Sequence, residues 1–422
     1  MVAITITEGA TWAIAAVATG GVIARPWRLP EAIWAVLGAM SLAVLSLVPW
    51  RDALNAVCRG TDVYLFLTGM MLLAELARQQ GVFDWLAALA VQQARGSAHR
   101  LFALVFGVGT VVTVFLSNDA TAVVLTPAVY AAAKAAKAEP LPYLFVCAFI
   151  ANAASFVLPI SNPANLVVFG SHMPPLASWL AQFALPSLLS IAATYIVLWL
   201  TQRASLREPI AGRVDMPTLS RPGRLAAGGI GVAAAILLSA SALDVRLGLA
   251  TFLTGVLTAC IVLIDQRRAP WYLLKHISWS VLPLVAGLFV MVEGLDRTGV
   301  IERLGQALQA AELNSTAATS WIAGAIVALA CNLMNNLPVG LIAGSTVVAA
   351  SAPPQTTGAL LIGVDLGPNI SVTGSLATIL WLVALRRDGQ EMSTWRFLRL
   401  GMVIATPALL LALTAFLIVQ PS

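Results

Sequence analysis

Between Arg100 and Lys134 the chain runs for 33 residues with a single charged side chain, Asp119. A stretch this apolar belongs in a bilayer, where every backbone N–H and C=O must find a partner within the protein, and helices supply those partners locally. A bare carboxylate at that depth costs ~3 kcal/mol or more, so packing alone does not explain Asp119. Both flanks are basic, with Arg95, His99 and Arg100 before the stretch and Lys134 and Lys137 after it. Basic flanks favour the cytoplasmic side, which puts both ends on one side of the membrane. The stretch therefore reads as a re-entrant hairpin over 101–133 with Ser117, Asn118 and Asp119 at its tip. An arm of about 15 residues reaches about 22 Å, past the middle of a hydrocarbon core about 30 Å thick.

The remaining 389 residues carry the same signature, for the whole chain is 59% hydrophobic and 10% charged, against about 25% charged in soluble domains. The fold class is all-α and polytopic in a membrane. Spans are expected at about 8–24, 31–49, 61–77, 141–171, 180–201, 224–241, 247–265, 280–295, 357–385 and 401–419, with a second hairpin at 317–350. That makes about ten transmembrane helices plus two re-entrant hairpins. The first segment lacks a basic leader, so it is expected to be retained as a span.

The net charge of +5 is small and its basic residues fall in short loops, which is a topology signal and argues against nucleic-acid binding. If the central loop bearing Arg203, Arg207, Arg213, Arg221 and Arg224 is cytoplasmic, 19 of the 24 Lys and Arg fall inside and 5 outside. That bias favours this orientation, with both termini extracytoplasmic. Cys58, Cys147, Cys260 and Cys331 show no ligand or disulfide spacing, and His99, His172 and His276 lie singly at segment ends, so no metal or cofactor is expected. No GxxxxGK[ST] phosphate loop and no nucleophile–base constellation occurs, so the chain itself is expected to be neither an ATPase nor any other enzyme.

The chain also repeats itself at an offset of 218. FLTGMMLLAELARQQGVFDWL (66–86) lies over LVAGLFVMVEGLDRTGVIERL (284–304), matching Gly69 to Gly287, Glu75 to Glu293 and Gly81 to Gly299, and Ser117-Asn118 falls on Asn335-Asn336. In the orientation above, the two copies run in opposite directions. The expected organisation is a first inverted repeat over 1–210 (hairpin 101–133, broken helix 141–171) and a second over 211–422 (hairpin 317–350, broken helix 357–385). Inverted repeats with interrupted helices mark secondary transporters, whose substrate sits near the midplane. The breaks are readable: ANAASFVLPISNPANLVVFGS (151–171) holds Pro159 and Pro163, and GVDLGPNISVTGSLATILW (363–381) holds Gly367, Pro368 and Gly374. Proline removes a helical hydrogen bond and glycine weakens the turn, so both helices should unwind there.

Asp119 and Asp365 are the carboxylates that fall deep in apolar stretches at such breaks. Burial favours the neutral acid, so either can bind and release a proton; either can also cap a half-helix. Ser117, Asn118, Thr121, Ser161, Asn162, Asn165, Asn335, Asn336, Asn369, Thr373 and Ser375 surround them in sequence and form a candidate substrate-binding set, or else satisfy the backbone groups that unwinding frees. Neither hairpin nor break contains Lys or Arg, which suits a di- or tricarboxylate poorly. Glu75 and Glu293 stand three and four residues before Arg78 and Arg297, spacings for intrahelical ion pairs. Phe83–Gln93 and Ile301–Ala311 are amphipathic and read as interfacial helices.

DLGPNISVTGSLATILWL (365–382), with SNDATAVVLTP (117–127), ISNPAN (160–165) and MNNLP (334–338), resembles the arsenical pump membrane protein family, within a superfamily that also holds dicarboxylate and sodium/proton carriers. The resemblance implies export of arsenite and antimonite from the cell across the inner membrane by a proton-coupled antiporter, in some members with a cytosolic ATPase subunit added. Family members often have Lys after DLGP, where this chain has Asn369. Arsenous acid is a neutral trihydroxide, and a chamber of amides and hydroxyls suits it. Asp119 and Asp365 are then the expected proton carriers. A Na⁺/H⁺ antiporter and a Na⁺-coupled carboxylate transporter remain open.

Overall fold

Runs of about 20 apolar residues separated by short polar loops become helices, and the computed structural model has helices at each expected segment. It describes residues 5–212, 214–387, 389–390 and 392–420; Arg213 lies outside them. Among the described residues, seven helices are long and apolar enough to cross a membrane: Ile6–Ala24, Ala98–Phe115, Leu176–Gln202, Arg221–Ala242, Leu247–Gln266, Thr316–Met334 and Thr394–Val419. An eighth is the pair Trp50–Arg59 and Thr61–Gln79, bent by 47°. This is a polytopic, multi-pass membrane protein.

The boundaries recur at the 218-residue offset. Val82–Ala94 returns as Val300–Glu312, and Leu176–Gln202 as Thr394–Val419. Gly81 and Gly299, each just before a helix start, both take left-handed backbone, at φ 70° and 72°. The halves interlock through helix pairs: Thr61–Gln79 packs on Leu247–Gln266, and Glu31–Val44 on Val281–Arg297. Gly69 makes the first approach possible, since a Cβ there would lie 2.3 Å from the Thr251 carbonyl oxygen. Gly287 does the same against Ala35 at 2.7 Å. Without a hydrophobic drive between helices in lipid, small residues that let backbones touch are what hold such pairs.

Both hairpins have a first arm longer than the sequence estimate, Ala98–Phe115 at 18 residues and Thr316–Met334 at 19, and a shorter return. The first return opens with a π-helical turn, Ala120–Leu125, before Thr126–Ala135; the second is Asn336–Ala350. Each return packs against the distal segment of the other half's broken helix: Ala120–Leu125 on Leu376–Arg387, and Asn336–Ala350 on Pro163–Phe169. Val82–Ala94 is more deeply placed than an interfacial helix, with Phe83, Ala87, Ala90, Val91 and Ala94 buried against the first hairpin, whereas Val300–Glu312 buries only Ile301 and Gly305. Its alanine-rich face fits closely between the arms; the longer polar residues of the second copy do not.

Candidate functional site

The first broken helix leaves helical geometry after Ala153, passes one turn at Pro159–Ser161 and resumes as Pro163–Phe169. Unwinding frees carbonyls, and Asn165 collects them: its Nδ2 donates to the oxygens of Ser155 at 3.0 Å, Leu158 at 3.2 Å and Pro159 at 3.3 Å. Ser161 Oγ donates to the Val114 carbonyl at 3.0 Å, tying the break to the hairpin's first arm. Asn162 caps the resumed helix, its Oδ1 accepting from Ala164 N at 3.0 Å.

The second break runs through two short turns, Gly367–Asn369 and Val372–Gly374, between Pro354–Leu366 and Leu376–Arg387. Asn332, on the second hairpin's first arm, holds it open. Its Nδ2 donates to Gly367 O at 3.0 Å, its Oδ1 accepts from Ser371 Oγ at 2.6 Å, and its own carbonyl accepts from Thr373 Oγ1 at 2.9 Å. Ser375 caps the resumed helix through Thr378 N at 3.1 Å. The sequence reading passed over Asn332; the signal was an Asn one turn before the hairpin tip.

The breaks meet across the two halves. Asn162 Nδ2 donates to Asp365 Oδ1 at 2.7 Å, and Asn152 Nδ2 to Asn369 Oδ1 at 3.0 Å. Asn369 in turn donates to the Phe149 carbonyl at 3.0 Å. Asp365 and Asn369 are one helical turn apart, as are Asn162 and Asn165, and Ser155 Oγ donates to Asn152 O at 2.7 Å. These bonds and turns gather a ring of polar side chains shut off from the surface: Asn152, Ser155, Asn165 and Asp365 have no exposed surface, and Asn162 and Asn369 have 1%. Three atoms in this ring have no hydrogen-bond partner among the described residues, Asn152 Oδ1, Asn165 Oδ1 and Asp365 Oδ2. All three are hydrogen-bond acceptors. A buried acceptor left unpaired costs on the order of 1–3 kcal/mol unless water or another donor meets it, and of the three only the Asp365 carboxylate can take up a proton.

The hairpin tips are a second polar region. Asn118 Oδ1 accepts from Asp119 N at 2.9 Å, and Ser117 Oγ accepts from Ala120 N at 3.2 Å. The Asp119 carboxylate is half-buried and makes no hydrogen bond or ion pair among the described residues. Thr121 spends its hydroxyl on Thr113 at 2.8 Å and so joins the hairpin arms. At the second tip Asn335 stands at φ 73° and accepts from Leu337 N at 3.3 Å, while the buried Asn336 side chain has no partner among the described residues. Of the eleven amides and hydroxyls singled out in the sequence, Ser117, Asn118, Thr121, Ser161, Asn335, Thr373 and Ser375 are thus held by backbone or neighbouring hydroxyls. Asn162, Asn165 and Asn369 are gathered with Asp365. Asp119 is not bonded into that ring.

Glu75 accepts from Arg78 at 2.6 and 2.7 Å and from Gln79 at 2.7 Å. Glu293 pairs with Arg297 at 3.2 Å and with Arg59. Glu75 is thus paired within its own helix, and Glu293 ties the end of Trp50–Arg59 to Val281–Arg297. Cys147 and Cys331 are buried singly, the latter 3.8 Å from the Val364 carbonyl. Two open clefts, ≈ 800 Å³ beside Arg95 and Gly212 and ≈ 410 Å³ beside Arg268 and Tyr272, are lined by residues outside the polar ring.

A sequence family described as citrate transporter (CitMHS) matches residues 14–368. The chain belongs to this family. It is a transporter and not an enzyme. The arsenical pump membrane protein of Escherichia coli K12 is 27% identical over 416 residues, covering 93% of this chain and 95% of that protein. An uncharacterized transporter of Mycobacterium tuberculosis is 25% identical, covering 91% and 92%. Among solved structures, the YdaH transporter of Alcanivorax borkumensis superposes with a TM-score of 0.58 at 16% identity over 86% of each chain, a likeness of fold.

Proposed function

We propose that this transporter exports trivalent arsenite and antimonite across the inner membrane in exchange for protons moving inward. Its two halves, 1–210 and 211–422, are taken as inverted copies with the central loop cytoplasmic. The observation that carries the reading is the buried ring in which Asp365 bridges both halves with one oxygen bonded and the other unpartnered. A proton placed on Oδ2 removes the cost of a bare buried charge, and its release restores that cost unless the surroundings rearrange. Asp365 is therefore the principal proton carrier, and Asp119 at the first hairpin tip the second.

The cargo follows from the sign of the unmet groups. Arsenous acid brings three O–H donors and no charge, which matches a ring whose unpaired atoms are all acceptors. Whole-length similarity to arsenical pump membrane proteins supports the same cargo. An uncharged cargo gains nothing from the membrane potential, so uphill export needs a coupled ion, and one inward proton supplies ~2.3 kcal/mol per 100 mV. Drive from a cytosolic ATPase subunit is the alternative energy source.

The family's description keeps a carboxylate cargo as the second reading. Against it, the ring holds no Lys or Arg, and a tricarboxylate would face Asp365 without a fixed cation. Arsenite flux in everted vesicles, with a pH gradient set and then collapsed, decides among these. Uptake should appear with the gradient and stop on its collapse. Flux of citrate and none of arsenite would sink the proposal, as would proton movement provoked by Na⁺ alone.

A further inference from the structure

The helix Trp50–Arg59 of the first half corresponds by the 218-residue offset to 268–277 in the second, where the short helix Trp271–Leu274 lies. The two copies handle charge differently. In the first, Arg59 pairs with Glu293 and Asp52 pairs with Arg297, leaving only Arg51 exposed and without an ion pair among the described residues. In the second, Arg267, Arg268 and Lys275 are exposed, and none forms an ion pair among the described residues. The nearest acid in sequence, Asp265, is taken by Arg221 at 3.2 Å.

These cations are nevertheless organised. The Arg268 guanidinium lies 4.9 Å from the Tyr272 ring centre and the Lys275 ammonium 5.4 Å from it. Tyr272 is fixed by its own carbonyl, which accepts from Gln79 Nε2 at 3.2 Å and lies 2.8 Å from His276 Nδ1. Buried Leu273 and Ile277 anchor the segment from below. The result is a cleft of ≈ 410 Å³ lined by Arg268, Ala269, Trp271, Tyr272 and Lys275. Trp271 is 70% exposed beside it, and Trp279, 40% exposed, follows at the start of the next span. Exposed tryptophan next to unpaired cations at a span end is the composition of a membrane headgroup layer.

We propose that this cleft binds the phosphate headgroup of an anionic membrane lipid. Arg268 and Lys275 supply the charge, Tyr272 holds both cations on one platform, and Trp271 lies at the acyl boundary. The missing carboxylates of the first-half copy are replaced by a ligand from the bilayer. A lipid is favoured over a soluble anion because the cleft sits between the ends of two spans and carries an indole that water alone would not favour.

The test is retention of lipid by the full chain, purified in detergent, delipidated and then titrated with phosphatidylglycerol or phosphatidylcholine, read by native mass spectrometry. The wild type should prefer phosphatidylglycerol, and Arg268→Ala/Lys275→Ala should weaken that binding about tenfold or more. Arg203→Ala/Arg207→Ala removes the same charge from the central loop and should bind as the wild type does. If the alanine pair does not elute as a single species, Arg268→Gln/Lys275→Gln serves instead. Equal binding by the cleft variant and the wild type overturns the proposal. So does an equal loss in the control pair, and so does displacement of the lipid by millimolar inorganic phosphate, which would assign the cleft to a soluble anion.

Discussion

Asn162 and Asp365 lie 203 positions apart in the chain and share a hydrogen bond of 2.7 Å in a region without exposed surface. Each belongs to a different half and sits at a different helix break. A change in the relative position of the halves therefore has to lengthen or replace this bond. In the proposed exchange, this bond is where the protonation of Asp365 would be coupled to the arrangement of the two halves.

Asp365→Asn keeps the shape of the side chain but cannot bind and release a proton. Gradient-driven export should fail, and the steady-state accumulation ratio should fall by about 50-fold per 100 mV for each uncoupled proton. Asp119→Asn should abolish proton coupling as well if both acids carry protons. Arsenite counterflow without a gradient would show whether cargo binding survives in each variant. Full pH-dependent export by Asp119→Asn would remove that residue from the mechanism and leave Asp365 alone.

Asn162→Ala strips a donor from Asp365 and a cap from Pro163–Phe169 at once. The expected cost is about 2–4 kcal/mol of stability, from the unpaired buried acid and the lost cap together. Thermal unfolding in detergent should report it as a lower Tm. An unchanged Tm would mean the bond is not maintained in the resting protein.

Replacing Cys58, Cys147, Cys260 and Cys331 together by Ser or Ala should leave substantial arsenite transport. No two of these thiols are placed as a pair among the described residues, and Cys147 and Cys331 are each buried alone, the latter against the Val364 carbonyl, where a single thiol acts as a small hydrophobe. Complete loss of flux from a folded, cysteine-free protein would instead assign the cargo to thiolate ligands.

Gly69→Val would place its Cβ into the carbonyl of Thr251, where the halves pack backbone to backbone. Overpacking of this kind costs about 1–3 kcal/mol and should separate Thr61–Gln79 from Leu247–Gln266. Cysteine crosslinking between those helices measures the separation. Gly287→Val should act in the same way against Ala35. Wild-type crosslinking rates in both would contradict the close approach.

What the amino-acid sequence determined by itself was set by the solvent. Apolar runs of span length form helices in lipid, proline and glycine clustered with polar residues foretold the two breaks while Pro186 and Pro407 sit inside continuous helices, and Gly69, Glu75 and Gly81 recur at Gly287, Glu293 and Gly299. Asp365, Asn162, Asn165 and Asn369 were recognisable as a polar set for the same reason, since such residues are costly in hydrocarbon unless something meets them. Only the tertiary structure decided which of them meet one another. Hydrogen bonds across halves depend on helix packing and not on local spacing, so the Asn162–Asp365 contact and the employment of Thr121 by the Thr113 hydroxyl and of Ser161 by a backbone carbonyl had no sequence signature. The same holds for the cations beside Tyr272, whose lack of carboxylate partners is a property of what the fold places next to them.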